Sequence, residues 1–442
     1  MAAMGLGHLD RPRRHPRSGQ PLGGAAMKKG SAIALVLALA VLASACSSSP
    51  APIRVGAVYP LSGSQGPGGI DEYRGVRLAV GLVNADGGVD GRPVELEALD
   101  VPGADAAPGA IAALGDRGIR FVLGSYGSTV SEPAAAAAAH RRMLFWETGA
   151  VGSMPAPGSG GRFFFRVAPG GSVLGQAAVS FVADHLVPLW HRASSSLRFG
   201  VANVDDVYGS AVAAGAVDEI HALGLPFAGQ FPYDLSHPDP VGVVHRIARA
   251  KPDVLFVAAY MQDGIALRRE MVRQQLPLLV NIGTSSSYCM PEFGAALQRQ
   301  AVGLFASDKP DADAIDTSGL TPEARDLLER ARSAYRSRYH EEMSAPALAG
   351  FSAAWALFHT VMPSASQLTP EAVAAQALAA RIPPGGLPNG SGLAFSPPGA
   401  TDPGANLLAA TVIWEWLGVD RRAVVWPRQF ATAAIRPISM AP

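Results

Sequence analysis

Cysteine is scarce in this sequence of 442 residues, which contains only Cys46 and Cys289. Two cysteines cannot build the disulfide framework on which small secreted domains depend. A chain of this length does not need such a framework, because it can bury enough apolar surface to fold without covalent crosslinks. We therefore expect a body that is held together by its apolar core and has no internal disulfide.

An excess of basic residues is also missing. Lysine and arginine number 36, the same as aspartate and glutamate. Residues 1–45 contain six of the basic and one of the acidic residues, so the remainder keeps 30 basic and 35 acidic residues and a net charge of −5. Such a balance provides no electrostatic footprint for nucleic acid and suits a soluble exported protein.

Motifs of enzymatic, cofactor and metal sites are likewise absent. The Gly-rich loop at residues 59–69 lacks the GxGxxG spacing of a dinucleotide site. An exported hydrolase that uses Ser128 is one alternative, but GSYGS lacks the spacing of a GxSxG elbow and His140 has no evident acidic partner. The ten histidines are scattered without the spacing of metal ligands. We therefore expect a protein that is not an enzyme and has neither catalytic residues, a cofactor nor a metal site.

An export signal precedes the body. Residues 27–46 read MKKGSAIALVLALAVLASAC, in which two lysines are followed by an apolar stretch over residues 32–42 and then by small residues. This order of charge, apolar stretch and small residues is typical of a secretory signal. The apolar stretch is too short to span a bilayer, which takes about 20 residues. We expect translation to start at Met27, with residues 1–26 as an upstream extension that fits no export signal.

The small residues before Cys46 resemble the lipobox of bacterial lipoproteins, in which the cysteine is acylated and becomes the mature N-terminus. Ala43 stands where that motif favours leucine. An ordinary signal peptide with an incidental cysteine is the alternative. Lipidation implies an extracytoplasmic protein that is anchored to the cell membrane through Cys46, on the outer face of the cytoplasmic membrane or in the periplasm. Residues 46–52 then form a flexible tether.

Short β-like runs alternate with helical patterns along the body. The runs are residues 53–58, 94–99, 119–124, 143–146, 197–203, 253–259, 276–282 and 302–307. Such alternation predicts an α/β fold in which parallel strands are flanked by helices. The 397 residues from Cys46 onwards exceed one ordinary domain, and a Pro-Gly stretch at residues 166–175 divides them. We therefore expect two α/β lobes with a cleft between them.

Loops that follow the strands are where ligands bind in open parallel sheets. In GSYGSTVSEPAAAAAAH, Ser128 and Thr129 come at the start of an Ala-rich helix, whose free N–H groups and dipole favour an anion such as a carboxylate. Simple capping of that helix explains them equally well. Tyr208 and Tyr260 each follow a strand of the second lobe, where a ring can pack on a ligand and its hydroxyl can orient polar groups. Ordinary core packing is the alternative for both tyrosines.

The segment at residues 53–100, IRVGAVYPLSGSQGPGGIDEYRGVRLAVGLVNADGGVDGRPVELEALD, closely resembles the opening of the branched-chain amino acid (leucine, isoleucine, valine) type substrate-binding proteins of ABC transporters. VLGSYGSTVSEPAA, MLFWETGAVGS, DDVYGSA, DVLFVAAYMQDG and IGTSSSYCMPEF recur in that family's order, so the resemblance covers nearly the whole mature chain. It implies the type I periplasmic binding protein fold, with two Rossmann-like lobes that are joined by three hinge crossovers and close on a small ligand. Lobe 1 would hold residues 53–168 and 305–388, and lobe 2 residues 169–304 and 389–442.

The resemblance also implies a set of ligand-binding positions. Ser128 matches the serine that holds the ligand carboxylate, and Gly149 belongs to the small residues whose backbone meets the ligand. Tyr208 and Tyr260 match the two tyrosines of the second lobe. The implied ligand-binding residues are Tyr126, Gly127, Ser128, Gly149, Ala150, Val151, Tyr208, Tyr260, Thr284 and Ser285.

Three positions depart from the family pattern. Val151 replaces a threonine that hydrogen-bonds the amino acid, and Ser285 stands where an acidic residue would meet the α-ammonium. Gly68 replaces an aromatic residue, which predicts a roomier pocket. An unpaired buried ammonium costs several kcal/mol, so a simple branched-chain amino acid is not the expected ligand. The pattern instead favours a neutral amide, a urea-like solute, or an aromatic or other carboxylate.

Three acidic residues near the implied site could replace the missing carboxylate. Glu147 lies two residues before the matched loop, and the other two lie at helix starts, where solvation or pairing with the helix dipole is commoner. We therefore do not expect any of them to meet an ammonium. The three residues are Glu132, Glu147 and Asp263.

Together these features predict a lipid-anchored solute-binding protein. It would capture a small molecule, such as an amino acid, an amide or a small carboxylate, and deliver it to the permease subunits of an ABC transporter. A receptor that uses the same fold to signal to a membrane or regulatory partner is the alternative. We expect a monomer with no nucleic-acid partner.

Overall fold

The computed structural model describes residues 50–152, 161–312 and 314–436. The predicted lipidation site Cys46 and the predicted export signal lie outside the described residues. Two β-sheets with helices on their faces organise the described chain.

The first sheet and its helices come from the N-terminal part of the body. The elements are strands β1 (Ile53–Tyr59), β2 (Val94–Asp100), β3 (Phe121–Gly124), β4 (Leu144–Glu147) and β5 (Phe164–Arg166), and helices α1 (Gly66–Ala85), α2 (Ala107–Asp116) and α3 (Ser128–His140). The strands are all parallel and lie in the order β2-β1-β3-β4-β5. Strands β1, β3 and β4 are buried almost throughout, as in parallel sheets covered on both faces, which explains their nearly continuous apolar sequences.

The second sheet has seven strands. Its elements are strands β6 (Phe199–Val204), β7 (Phe227–Tyr233), β8 (Val254–Ala258), β9 (Val280–Thr284), β10 (Phe305–Asp308), β11 (Val412–Gly418) and β12 (Arg421–Trp426), and helices α4 (Gly171–Phe181), α5 (Val207–Ala222), α6 (Pro240–Ala250), α7 (Met261–Arg273) and α8 (Pro291–Leu297). The strand order is β12-β11-β10-β9-β8-β6-β7. Strands β6 to β10 are parallel, and the hairpin β11–β12 adds two antiparallel strands at the edge.

A third segment returns to the first sheet. It contains helices α9 (Pro322–Tyr339), α10 (Ala345–Trp355) and α11 (Pro370–Ala379). Helix α10 packs closely on α1, because Gly75 has no side chain where the backbone carbonyl of Ala347 approaches. The indole Nε1 of Trp146 in β4 donates to the carbonyl of Ala353 at 2.9 Å, which ties α10 to the sheet. We call the first sheet with α1–α3 and α9–α11 lobe 1, and the second sheet with α4–α8 lobe 2.

Two of the predicted lobe boundaries need correction. Residues 305–388 were expected in lobe 1, but β10 pairs with β9 and β11 and therefore belongs to the second sheet. Residues 389–442 were expected in lobe 2, but Ala405 bridges to Arg166 at the edge of the first sheet, and Asn406 donates to the Arg166 carbonyl at 3.0 Å. The chain thus leaves lobe 2 after Asp308 and returns just before β11. A sequence run predicts a strand, but only its hydrogen-bonded neighbours decide which sheet it joins.

Two helical stretches, Gly171–Trp190 and Ala345–Ser364, are long and apolar enough to cross a membrane by length and composition. In the second stretch, 89% of the most apolar 18 residues are buried, and the helix packs on α1 in lobe 1. The first packs on α5 and β10 in lobe 2. These contacts account for their apolar sequences as core helices.

Candidate ligand-binding cleft

The cleft between the lobes lies beyond the carboxyl ends of strands from both sheets. The cavity in this cleft has a volume of about 20 Å³, so the lobes meet closely around it. Eight of the ten residues implied by the sequence line this cleft. The lining residues are Tyr126, Gly127, Ser128, Gly149, Val151, Ala345 and Pro346 of lobe 1, with Tyr208, Tyr260, Ser285, Ser286, Met290 and Asp308 of lobe 2, and Lys309 of the segment that leaves lobe 2.

Ala150 and Thr284 are the two implied residues that do not line the cleft. The backbone N–H of Ala150 donates to Oε1 of Glu147 at 2.8 Å, so it serves the loop after β4. The hydroxyl of Thr284 is fully buried and donates to the carbonyl of Ser307 at 2.8 Å, which links β9 to β10. Ala150 was expected to meet the ligand with its backbone, as Gly149 was, but the hydrogen bonds of Ala150 and Thr284 lie within the protein and neither residue lines the cleft.

Ser128 opens helix α3 at the lobe 1 wall. The helix is capped at Gly127, whose extended backbone precedes it, and no side chain caps its N–H groups. The Ser128 hydroxyl instead accepts a hydrogen bond from the backbone N–H of Gly152 at 2.9 Å. Because Ser128 does not cap its own helix, the positive end of α3 remains available for an anion. Thr129 takes a different role, since its hydroxyl accepts from Nε2 of Gln65 at 3.1 Å.

Tyr208 and Tyr260 form one aromatic wall in lobe 2. Their ring centroids are 5.0 Å apart and the rings are inclined by 41°. The Tyr208 hydroxyl donates to the carbonyl of Ser285, and the Tyr260 hydroxyl donates to Oδ2 of Asp206 at 2.7 Å. Burial raises the pKa of both phenols, so each stays protonated and acts as a donor. The hydroxyls thus hold the loops of lobe 2, while the rings face the cleft.

The roomier pocket predicted at Gly68 is not present. The ring of Tyr126 lies over Gly68, and a Cβ added there would meet its ring carbons. Tyr126 of lobe 1 and Ser286 of lobe 2 both line the cleft. The glycine leaves space that the ring of Tyr126 occupies. A comparison of single aligned positions does not show that a residue elsewhere in the chain fills this space.

Buried charged groups that the sequence reasoning missed surround the cleft. Lys309 is 6% exposed and its Nζ donates across the cleft to the carbonyl of Gly149 at 2.9 Å. Glu72 of α1 is fully buried, and burial raises its pKa to about 8 although the charge of Lys309 opposes this. The Thr148 hydroxyl donates to Oε1 of Glu72 at 2.5 Å.

Asp308 contradicts the expectation that the cleft has no carboxylate. It ends β10, lines the cleft and is only 3% exposed. Oδ2 accepts a hydrogen bond from the Cys289 thiol at 2.7 Å. Burial raises the pKa of this carboxyl, and the neighbouring Lys309 opposes the shift. The rule that ligands lie past strand ends would have found it, because the predicted run at residues 302–307 stops one residue before Asp308.

None of the three acidic residues considered from sequence takes that place. Glu147 accepts hydrogen bonds from the N–H groups of Ser125, Gly149 and Ala150, and burial still raises its pKa to about 7. Asp263 accepts hydrogen bonds from the Tyr233 hydroxyl at 2.6 Å and from the backbone N–H of Tyr260, the N-cap residue of α7, at 3.2 Å. Glu132 is exposed on α3.

Across the described residues, no group of three or more His, Cys, Asp or Glu side chains is placed to hold a metal ion. Cys289 is a buried free thiol whose pKa is raised by burial. The chemistry offered by the cleft is therefore that of hydrogen bonds, aromatic surface and paired charges.

Comparison with known proteins identifies relatives over most of the chain. The family model described as periplasmic binding protein matches residues 52–397. Leu/Ile/Val-binding protein homolog 8 of Brucella suis is 26% identical over 362 residues, which are 81% of this chain and 88% of that protein. Leu/Ile/Val-binding protein homolog 7 of Brucella abortus is 24% identical over 310 residues, which are 70% of this chain and 76% of that protein.

Solved structures share the fold. The leucine-binding protein LivK of Thermotoga maritima superposes with a TM-score of 0.67 at 16% identity, over 84% of this chain and 97% of that one. LivJ of Streptococcus pneumoniae, solved with isoleucine, gives a TM-score of 0.65 at 17% identity, over 85% of this chain and all of that one. These likenesses confirm the predicted two-lobed α/β fold.

Proposed function

The chain belongs to the periplasmic binding protein family, and we propose that it captures a small molecule between its lobes and delivers it to the permease subunits of an ABC transporter. The molecule is an amino acid, an amide or a small carboxylate. The family consists of solute-binding proteins of transporters and not of enzymes. The curated relatives are named for leucine, isoleucine and valine, which supports a ligand of amino acid size.

The convergence of strand-end loops from two lobes on one cleft carries this proposal. Lobe 1 contributes the start of α3 with Ser128, and lobe 2 contributes the rings of Tyr208 and Tyr260. The helix start supplies N–H groups for a carboxylate or carbonyl, and the rings supply a flat apolar surface. Neither lobe alone encloses a ligand, so closure replaces water around the ligand with contacts from both sides.

A thermal-shift screen of the purified body tests the proposal. Amino acids, amides, ureas and aromatic carboxylates are added at millimolar concentration, and the melting temperature is recorded. A ligand that binds only the folded state raises that temperature by mass action. At a concentration of 100 times its Kd, it increases the free energy of unfolding by about 2.7 kcal/mol. We expect at least one compound to stabilise the protein. If no compound in these classes shifts the melting temperature, the proposed function is wrong.

We also propose that the protein is held at the outer face of the membrane by a lipid on Cys46. The support is the sequence order of lysines, a short apolar stretch and small residues before that cysteine. A tethered receptor stays close to its permease, which raises the effective concentration of the loaded protein there.

Replacement of Cys46 by alanine is expected to abolish lipid incorporation and to leave an uncleaved precursor or a released protein. Metabolic labelling with a fatty-acid analogue measures this directly. Cys289→Ala is the matched control, because Cys289 is buried in lobe 2 and should leave labelling unchanged. Equal labelling of the wild type and Cys46→Ala would contradict the anchor.

A further inference from the structure

Asp308 carries one carboxylate oxygen that nothing in the described chain satisfies. Oδ2 is bonded to the Cys289 thiol, whereas Oδ1 is buried and has no hydrogen-bond partner among the described residues. A buried polar atom without a partner destabilises the folded protein, and more so when it is charged. Such a group in a ligand cleft is most simply explained by a partner that arrives with the ligand.

The charge balance around the cleft favours a cation as that partner. Three buried carboxyls, Glu72, Glu147 and Asp308, surround one buried ammonium, Lys309. Lys309 is held by the carbonyl of Gly149, and burial raises the pKa of all three carboxyls. The charges of Lys309 and Arg422 already favour ionisation of Asp308. A further positive charge beside it would lower the cost of ionisation again, whereas a negative charge at that position would raise it.

A neighbouring cavity gives a cationic group access to Asp308. This outer cavity has a volume of about 390 Å³ and shares Met290, Asp308, Lys309, Ala345 and Pro346 with the cleft. Its wall contains further acidic residues and a smaller number of basic ones. The acidic residues are Asp71, Glu292, Asp311, Glu342 and Asp420, and the basic ones besides Lys309 are Arg421 and Arg422. Asp308 thus lies at the junction of the two cavities, within reach of a ligand in either one.

We propose that the Asp308 carboxylate accepts the charged amino group of the ligand, in place of the acidic residue that the sequence lacks at Ser285. The inference rests on the proposed function and narrows it: the ligand is a zwitterion or amine rather than a neutral amide or a simple carboxylate. In this arrangement the ligand carboxylate lies toward Ser128 and the start of α3, and its ammonium lies toward Asp308. The ammonium of an α-amino acid would then have an acidic partner in the cleft, so the buried charge would not be unpaired.

The test compares amines with matched amine-free compounds on the wild-type protein. Leucine, isoleucine, valine, alanine, lysine and arginine are each paired with the deaminated acid and with the amide of that acid. We expect an amine-bearing compound to raise the melting temperature. Its amine-free counterparts should bind at least about 30-fold more weakly, because a buried charge pair is lost. If amine-free compounds bind as strongly as the amines, the inference is wrong while the proposed function stands. If no compound binds, both fail.

Asp308→Asn provides the second measurement, with Asp90→Asn as the control. Asp90 is exposed in the turn before β2, and its φ of 51° suits asparagine. We expect Asp308→Asn to weaken amine binding about 30-fold or more and Asp90→Asn to leave it unchanged. Unchanged affinity in Asp308→Asn would overturn the inference.

Stability without ligand separates a binding role from a structural one. Asp308→Asn replaces a buried carboxylate that has one unsatisfied oxygen with a neutral group of the same shape, so we expect its ligand-free melting temperature to equal or exceed that of the wild type. A structural carboxylate would behave in the opposite way. Two results together would show that Asp308 serves the fold and not the ligand. The Asp308→Asn variant would have a clearly lower ligand-free melting temperature than the wild type, and the wild-type protein would bind only amine-free compounds.

Discussion

Tyr260 illustrates how one residue divides its work between the fold and the ligand. Its hydroxyl is occupied by Asp206, the residue that caps α5 by accepting from the Gly209 N–H at 2.8 Å. Its ring lies against Tyr208 and lines the cleft. The ligand therefore meets the ring, and the hydroxyl positions it.

We expect Tyr260→Phe to keep ligand affinity within about threefold and Tyr260→Ala to lower it about tenfold or more, because the apolar wall is lost only in the second variant. Calorimetry with the most stabilising compound of the thermal-shift screen measures both. Equal losses in the two variants would show that the hydroxyl itself contacts the ligand.

Glu72 and Glu147 make stability depend on pH. Burial raises the pKa of Glu72 to about 8 and that of Glu147 to about 7, so the folded state binds more protons than the unfolded state above the ordinary carboxyl pKa near 4.5. Stability from such groups is present at low pH and is lost as the pH rises toward the folded pKa.

Between about pH 5.5 and about pH 8 the ligand-free unfolding free energy is expected to fall, on the order of 1 kcal/mol per pH unit. Urea unfolding at several pH values measures the slope, and Glu72→Gln should reduce it. A free energy that rises over this range would mean that both carboxylates are ionised in the folded protein.

At the scale of elements, the contact between α1 and α10 supports the lobe 1 wall. Gly75 meets the backbone of Ala347, and Gly350 meets the backbone of Glu72, so the two helices approach more closely than side chains would allow. Ala345 and Pro346 at the start of α10 line the cleft. The close contact therefore positions a part of the ligand site as well as the core.

Gly75→Ala is expected to lower the unfolding free energy by about 1–3 kcal/mol, because its methyl group would push the helices apart. Gly81→Ala is the control in the same helix, since Gly81 is exposed and an added Cβ meets nothing within 4 Å. That variant should be stabilised by about 0.5–1 kcal/mol through helix propensity. Denaturant melts compare the two, and equal effects would contradict the close packing.

At the scale of the whole molecule, the lobes lie in a closed arrangement. Nζ of Lys309, just after β10, donates to the carbonyl of Gly149 in the loop after β4, which is a bond across the cleft. Within the described residues, three chain segments pass between the sheets, near residues 167–170, after Asp308 and before Val412. Few connections of this kind permit hinge motion about the cleft.

Small-angle scattering is expected to show a larger radius of gyration without ligand than with it, and the scattering with ligand should match the closed arrangement. Lys309→Met removes one bond across the cleft and should enlarge the ligand-free radius further. A saturating ligand that leaves the radius unchanged would contradict closure. Arg336→Met, on the exposed face of α9, is a control that should scatter like the wild type.

The sequence by itself determined the alternation of strands and helices and the loops that carry Ser128, Tyr208 and Tyr260. These features are local, because apolar periodicity, turn residues and strand ends are all written within about 20 residues of one another. Only the tertiary structure decided that β10 joins the second sheet, that Tyr126 fills the space over Gly68, and that Lys309 meets Glu72 and the Gly149 carbonyl. Those relations join residues far apart in the chain, and packing, burial and hydrogen bonding between elements fix them, which no single segment encodes.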